Sequence, residues 1–489
     1  MKKINEIYTA PKEAFERYQA LKTYAQTHNL TIATFARSPG RVNIISEHTD
    51  YNGYQVSPIA LENDFIFAVC KDKGRQHVQL RHIEEQLFKA DDFDYKVAPT
   101  KIAVPNDAWS MYVRAGFHAA SVYCEERKIF LPNTFESSQI TLIGTGNVPL
   151  GSGLSSSSAL TCCAALAFLS FIGEEIDKNR LAAIVAKSES LVAIEGGGMD
   201  QAISLNAVKG QISVINFVPK LDVKSEKFVD GVLVACMNSL KDSKKANSAA
   251  NFYNQRVAEC RAGCAILRSL KSGTKYVTCV KGREKIDMCL DIQQLYQKGS
   301  PSEMLEFCEK LPEKCTLAEL KDILGYSSVE QLVKDLFCTK IVENSLLGRY
   351  ENVKPEHVLV IKKRLQHVYS EADRAQKFEL LLKNQAKSKD LIGDLATLIN
   401  DSQTSCDSLY ECSCAELNEV IAESRKCGAF GARLTGAGLG GFAVALLKEE
   451  QKDEFMKKMV AFYQAKGETK MEDCVFITGC GCGGGFVKE

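Results

Sequence analysis

Arg41, Asn43, Glu47, His48 and Asp50 crowd into one short stretch, Arg37-Ser-Pro-Gly-Arg-Val-Asn-Ile-Ile-Ser-Glu-His-Thr-Asp-Tyr-Asn-Gly-Tyr54. Carboxylates and an imidazole among turn residues supply the convergent acceptors that a hydroxyl-rich ligand needs. Loops between rigid elements are the usual carriers of such groups. A solvated polar loop would have the same composition. A second stretch, Gly144-Thr-Gly-Asn-Val-Pro-Leu-Gly-Ser-Gly-Leu-Ser-Ser-Ser-Ser-Ala-Leu160, runs into a long apolar segment. Gly151 and Gly153 let backbone approach a ligand closely, and one of the serines can cap the helix that follows. The free N–H groups and the dipole of that helix start favour an anion such as a phosphate. A Gly/Ser loop with an ordinary cap is the bland alternative. No GxxxxGK[ST], HRD or DFG segment accompanies it.

The third stretch is Gly431-Ala-Arg-Leu-Thr-Gly-Ala-Gly-Leu-Gly-Gly-Phe442, whose glycines permit tight turns. It can cover a phosphate or brace the first stretch. Between the second and third lies Glu195-Gly-Gly-Gly-Met-Asp-Gln201, with Glu189 upstream on a predicted helix. Such a carboxylate pair suits one metal ligand and one general base, Asp200 being the candidate base.

These groups need elements to hold them. Helical spacing of Ala14, Phe15, Tyr18, Leu21 and Tyr24 predicts a helix over 8–28. Strands are expected at 31–36, 54–60, 65–69, 78–88 and 140–143, with Pro39-Gly40 turning the chain. Helices are expected at 109–124, from Ala159 onward, and at 181–194. Strands follow at 210–217 and from Gly231, and 359–400 is expected to be helical. Residues 431–447 read as a glycine-rich turn followed by a strand. A boundary falls near 220–230, giving units of 1–228 and 229–489 with an insertion around 275–345.

Composition narrows the partners. The chain has 489 residues, with 61 Lys plus Arg against 61 Asp plus Glu. A nucleic-acid binder would show a basic excess or stripe, so no nucleic-acid partner is expected. The longest strongly apolar stretch, 159–172, is shorter than the roughly 20 residues that cross a bilayer. No apolar leader follows Met1-Lys2-Lys3. A cytoplasmic protein without a membrane partner is expected. The 19 cysteines are read as reduced, small core thiols, since Cys412-x-Cys414 and Cys480-x-Cys482 lack the spacing of zinc pairs.

Taken together in this order, the three glycine-rich stretches resemble the signature motifs of the galactokinase branch of the GHMP small-molecule kinases. The stretches from Glu195, Tyr253-Asn-Gln-Arg-Val-Ala-Glu-Cys-Arg261, His367-Val-Tyr-Ser-Glu-Ala372 and Tyr410-Glu-Cys-Ser-Cys-Ala-Glu-Leu417 extend it toward the eukaryotic galactokinase and N-acetylgalactosamine kinase group. The resemblance spans about residue 30 to the C-terminus, and 275–345 match least. Two departures stand out: Ser46 replaces a glycine, and Leu439-Gly-Gly-Phe442 replaces an aromatic followed by Gly-Gly-Cys.

The resemblance implies an α+β, two-domain fold, ribosomal-S5-like then ferredoxin-like with helical insertions, and a cleft between. It implies ATP as co-substrate, Mg²⁺, a small sugar as partner, and a monomer. It implies transfer of the γ-phosphoryl to the anomeric hydroxyl of galactose. N-acetylgalactosamine is the alternative substrate, and a non-catalytic sugar-sensing homologue is the competing class. By similarity, Asp200 accepts the hydroxyl proton and Arg41 holds Asp200 ionised. Ser157 and Glu189 would bind the metal, and Gly151, Gly153, Ser155, Ser156 and Ser157 the ATP phosphates. Glu47, His48, Asp50 and Tyr253 would contact the sugar. Tyr253 inclines the reading to galactose, because a tyrosine hydroxyl bonds a sugar oxygen and takes up room beside C2. Trp109 is placed near the nucleotide, with core packing as its alternative.

Overall fold

The computed structural model describes residues 2–3, 11–74, 76–94, 109–129, 138–172, 175–189, 197–241, 247–279, 287–337 and 354–488. The parts of the predicted elements at 8–10 and 190–194, and Glu195 and Gly196, lie outside them.

The strands are β1 (Lys2–Lys3), β2 (Ile32–Asn43), β3 (Pro58–Lys73), β4 (His77–His82), β5 (Asp91–Asp94), β6 (Ser138–Gly146), β7 (Gln211–Asn216), β8 (Asp222–Lys227) and β9 (Val232–Asn238). They continue with β10 (Lys314–Thr316), β11 (Val358–Val360), β12 (Gly431–Leu434), β13 (Phe442–Lys448), β14 (Val475–Thr478) and β15 (Gly485–Lys488). The helices used below are α1 (Pro11–Thr27), α2 (Ser110–Glu126), α3 (Ser156–Leu169), α4 (Lys178–Glu189), α5 (Met199–Asn206), α6 (Asn247–Ser272), α7 (Tyr276–Cys279) and α8 (Cys289–Leu295). After them come α9 (Leu305–Cys308), α10 (Leu317–Leu324), α11 (Val329–Leu336), α12 (Lys362–Lys383), α13 (Leu391–Ser405), α14 (Ala415–Lys426) and α15 (Lys452–Ala465).

Two sheets organise these elements. A seven-stranded sheet runs β1-β15-β2-β3-β6-β4-β5 and a four-stranded one β12-β13-β9-β14. The second is antiparallel throughout; in the first, β4 and β6 pair parallel, as do β1 and β15. Helix α3 is apolar on every side, so it can only be stable inside. It packs between the large sheet and α2, where Cys162, Ala164, Leu166 and Phe168 are buried with Phe67, Val69 and Phe117. A separate apolar cluster joins the two sheets: Val42, Ile44, Ile59 and Leu154 meet Val234, Cys236, Phe442 and Val444. The helices α6–α12 build a further core against the outer side of the small sheet.

Four expectations need correction. Pro39-Gly40 does not turn the chain. β2 continues through it with a register shift between Pro39 and Arg41, a bulge that accommodates proline's missing N–H. A side chain at Gly40 would sit 2.7 Å from the Leu154 carbonyl oxygen, so glycine there serves close approach. The predicted strand 78–88 stops at His82. The segments 54–60 and 65–69 merge, from Pro58 onward, into the single strand β3, and residues 54–57 precede it. The glycine-rich 431–447 opens with β12 before its turn. No helix among the described residues is long and apolar enough to cross a membrane.

Candidate active site

The bulge in β2 aims Arg41 at the start of α5. Arg41 Nε donates to Asp200 Oδ1 at 2.7 Å and its Nη2 to Asp200 Oδ2 at 2.8 Å. Such a bidentate pair fixes both ends of the carboxylate. The backbone N–H of Arg41 donates to the Leu154 carbonyl at 3.0 Å, and its Nη1 donates to the Gly153 carbonyl. One arginine therefore ties the first glycine-rich stretch to the second and to Asp200. Asp200 lies in the first turn of α5, where the dipole favours an anion. Gly198 caps that helix at φ 93°. A side chain at Gly197 would lie 2.0 Å from Asp50 Oδ2, so the glycines bring two carboxylates side by side. The Asp200 side chain keeps 27% of its exposure, which leaves it open to a substrate.

The serine run behaves differently from the cap the sequence predicts. Ser155 is the N-cap residue of α3, at φ 60°, yet its side chain makes no capping bond. Its hydroxyl donates instead to Asp200 Oδ2. The left-handed conformation, with Gly151 at 65° and Gly153 at 78° beside it, turns Oγ away from the helix end. The amides at the start of α3 are thus left without a side-chain cap, as a phosphate cradle requires. Ser156 and Ser157 are half-buried in that first turn.

Glu189 ends α4 and is buried. Ser158 Oγ donates to it at 3.0 Å, and Gln201 Nε2 donates both to it and, at 3.1 Å, to Ser158 Oγ. Burial raises its pKa, with Asp200 adding to the rise and the hydrogen bonds of Gln201, Ser158 and Ser157 opposing it. A buried carboxylate beside hydroxyl oxygens fits a hard cation such as Mg²⁺. No group of three or more His, Cys, Asp or Glu able to hold a metal occurs among the described residues. A cation held by Ser157 and Glu189 would therefore draw its other ligands from water and phosphates.

The first stretch closes into a tight loop around Ser46. Ser46 stands at φ 81° and is fully buried, so it does take the backbone conformation that favours glycine. Three contacts hold it there. Its N–H donates to Glu371 Oε1 at 2.9 Å; its Oγ donates to the Gln55 carbonyl at 2.6 Å and lies 2.6 Å from Thr49 Oγ1. Glu47 Oε1 accepts the Gly436 N–H at 2.8 Å and lies 3.5 Å from Arg433. Burial raises the Glu47 pKa, with Arg433 and Arg41 opposing. His48 Nε2 donates to the Ala437 carbonyl at 3.2 Å and its Nδ1 accepts from Tyr51 at 2.9 Å. Burial lowers its pKa to about 3, so the ring is neutral. The Tyr253 ring lies 5.6 Å from His48 and 5.4 Å from Tyr51. Burial raises the Tyr253 pKa strongly, and Asp50, Asp200 and Glu47 add to it, which places the phenol among the carboxylates. Asp50 is pushed to about 6 by burial and by its neighbours Asp200 and Glu47.

The third stretch is a brace for both others. Thr435 Oγ1 accepts the Asn43 N–H at 2.8 Å, and the Phe442 N–H donates to the Ser152 carbonyl at 3.0 Å. A side chain at Gly436 would meet the Gly153 carbonyl at 2.9 Å. Sequence reasoning missed the charges behind the loop. Arg433, fully buried, lies between Glu47 and Glu371 at 3.5 and 3.9 Å. Against its burial, Arg374, Arg433 and His367 hold the Glu371 pKa at about 2. Both residues sit inside quoted motifs, which was the available signal. Ser158 and Gln201 were missed in the same way. Trp109 Nε1 donates to the Lys89 carbonyl at 2.8 Å, and its ring packs edge-on to His82 and Phe88.

Comparison with known proteins bears on family and fold. Residues 116–207 match the GHMP kinases N terminal domain and residues 378–465 the GHMP kinases C terminal domain, so fold and site define a GHMP kinase. Residues 22–71 match the galactokinase galactose-binding signature. The galactokinase of Dictyostelium discoideum is 33% identical over 95% of this chain and 91% of its own length, and that of Saccharomyces cerevisiae 28% over 94% and 92%. The chain belongs to the galactokinase family. The crystal structure of Lactococcus lactis galactokinase complexed with galactose superposes with a TM-score of 0.66 at 20% identity, covering 96% of this chain and 98% of that one.

Proposed function

We propose that this chain transfers the γ-phosphoryl group of ATP to the anomeric hydroxyl of D-galactose, giving galactose 1-phosphate and ADP. The observation that carries the mechanism is Asp200, gripped by Arg41 of the first glycine-rich stretch and Ser155 of the second, yet partly open. Asp200 accepts the hydroxyl proton as the bond to phosphorus forms. Arg41 fixes both oxygens of the carboxylate and faces the charge that develops on the transferring group. The uncapped start of α3, with Gly151, Gly153, Ser155 and Ser156, holds the ATP phosphates. Magnesium, bound by Ser157 and Glu189, would neutralise phosphate charge. Asp50 and Tyr253 contact sugar hydroxyls, while Glu47 and His48 shape the loop through Gly436 and Ala437. In this reading residues 1–228 carry the sugar and phosphate loops, and 229–489 carry the brace.

The test is kcat/KM on galactose, N-acetylgalactosamine, glucose and arabinose with ATP. Galactose is expected to lead. Preference for N-acetylgalactosamine would refute the substrate and leave the kinase chemistry standing.

A further inference from the structure

Away from the cleft, a surface cavity of about 480 Å³ is lined by Leu270, Lys271, Tyr296, Lys298, Phe307 and Lys310. Pockets of about 300–1,000 Å³ suit small ligands. The charge here is one-sided. Lys271 Nζ lies 5.2 Å from the Tyr296 ring centroid, and Lys298 and Lys310 lie 5.1 and 5.2 Å from that of Phe307. The two rings meet edge to face at 4.5 Å, which draws the three ammonium groups around one aromatic pair. Lys298 is partly neutralised by Glu306 at 3.0 Å. Lys271 and Lys310 have no carboxylate partner among the described residues. Like charges gathered this way repel, and the ring faces offset that only in part. A multiply charged anion is the complement.

The cavity is wired to the first glycine-rich stretch by α8. At its start, Cys289 Sγ donates to Asn52 Oδ1 at 3.2 Å, and Asn52 Nδ2 donates to the His48 carbonyl at 2.9 Å. Leu290 packs on Gly53 so tightly that a side chain at Gly53 would lie 3.0 Å from its Cβ. Further along, Tyr54 Oη donates to Gln293 Oε1 at 2.7 Å, and Gln293 Nε2 donates to the Lys298 carbonyl at 3.1 Å. One side chain thus spans the distance from sugar loop to cavity. Tyr296, the residue after α8, forms the cavity floor, its hydroxyl fixed to the Leu267 carbonyl at 2.8 Å.

We propose that this cavity is a regulatory site for a small phosphate-bearing anion, and that its occupancy changes sugar affinity through α8 and Gln293. The shared chemistry is a phosphate ester or polyphosphate, whether a nucleotide, a sugar phosphate or free polyphosphate. The coupling half rests on the sugar-loop reading above; the binding half does not.

Calorimetric titration of pyrophosphate into the full chain, without nucleotide, tests it. Two equivalents are expected, one at the start of α3 and one in the cavity. Lys271→Gln/Lys310→Gln should lose the cavity equivalent or weaken it roughly tenfold or more. Galactose titrated with and without saturating pyrophosphate should differ about fivefold or more in Kd in the parent. That difference should shrink in the double lysine variant and in Gln293→Met, which keeps both pyrophosphate equivalents. Replacing pyrophosphate by ADP and by galactose 1-phosphate sorts the sources. Equal pyrophosphate binding by parent and lysine variant overturns the site. An equal galactose shift in parent, lysine variant and Gln293→Met overturns the coupling. A chain that binds no galactose refutes the sugar-loop reading instead, and the count of equivalents still decides the cavity.

Discussion

Ser46 offers a direct test of how the sugar loop is held. Its φ of 81° costs an L-residue roughly 1–2 kcal/mol. Ser46→Gly removes that cost, and taken alone it would stabilise. Two terms oppose it. A glycine gains freedom in the unfolded chain, about 0.4–1 kcal/mol, which cancels much of the relief. The hydroxyl's bonds to the Gln55 carbonyl and Thr49 Oγ1, both at 2.6 Å and buried, are lost as well. Those are worth about 1 kcal/mol each. Thr49 Oγ1, already 3.2 Å from the Gln55 carbonyl, recovers part of one. The net expectation is destabilisation of up to about 2 kcal/mol for Ser46→Gly, and a loss of about 1–2 kcal/mol for Ser46→Ala, which keeps the strain. The backbone bond to Glu371 survives both changes, so kcat should stay near the parent's. Urea unfolding can be followed by circular dichroism and by the fluorescence of Trp109, the chain's one tryptophan; coincident transitions license a single free energy. A Ser46→Gly chain more stable than the parent would show that strain, not the hydroxyl network, governs the loop.

Other outcomes follow from the same geometry. Asp200→Asn should lower kcat about 10²–10⁴-fold with ATP affinity retained; near-normal kcat would remove Asp200 as the base. Glu189→Gln should weaken turnover in a way that added Mg²⁺ partly restores, and metal titrations identical to the parent's would refute the assignment. Galactose KM should change between pH 7 and 5 as Asp50 protonates near pH 6, and the change should vanish in Asp50→Asn. His367 is lowered by burial to about 4 from 6.5. A depressed histidine pKa contributes stability above the unfolded value that is lost as pH falls through 6.5 toward 4. At pH 5 the loss is about 2 kcal/mol. His367→Gln should flatten that limb of the stability curve, and an unchanged slope would count against a neutral buried ring.

Much of the site was legible because its residues cluster along the chain. Arg41, Asp200 and the serine run announce themselves by type and by neighbouring glycines. What the sequence could not give were the partners chosen across long separations. Ser155 reads as a helix cap by position. Only folding reveals Asp200 as a better acceptor, since its φ of 60° points the hydroxyl outward. Pro39-Gly40 reads as a turn because those residue types make turns. Here the demand was for a bulge and for backbone contact with Leu154, which the local signal cannot distinguish. Arg433 carries no local signal of the buried place it takes between Glu47 and Glu371, both far away in sequence. His48 looks like a ligand by company, yet Tyr51 and Ala437 occupy its ring nitrogens.

The strand β15 carries a consequence for the order of folding. It pairs with β2 through Gly485 and Arg37, and buried Arg37 donates to the Cys482 carbonyl across a separation of 445 residues. That arginine also pairs with Asp64 at 2.6 Å. On a ribosome, the large sheet therefore waits with β2 as an open edge until almost all the described chain has emerged. Long-range pairing of this kind is slow, because loop closure precedes its reward. The nascent sheet is the segment most in need of shielding from other chains. Fragments cut between the two sheets should remain incomplete when expressed alone and recover structure when expressed together, with β15 restoring the edge.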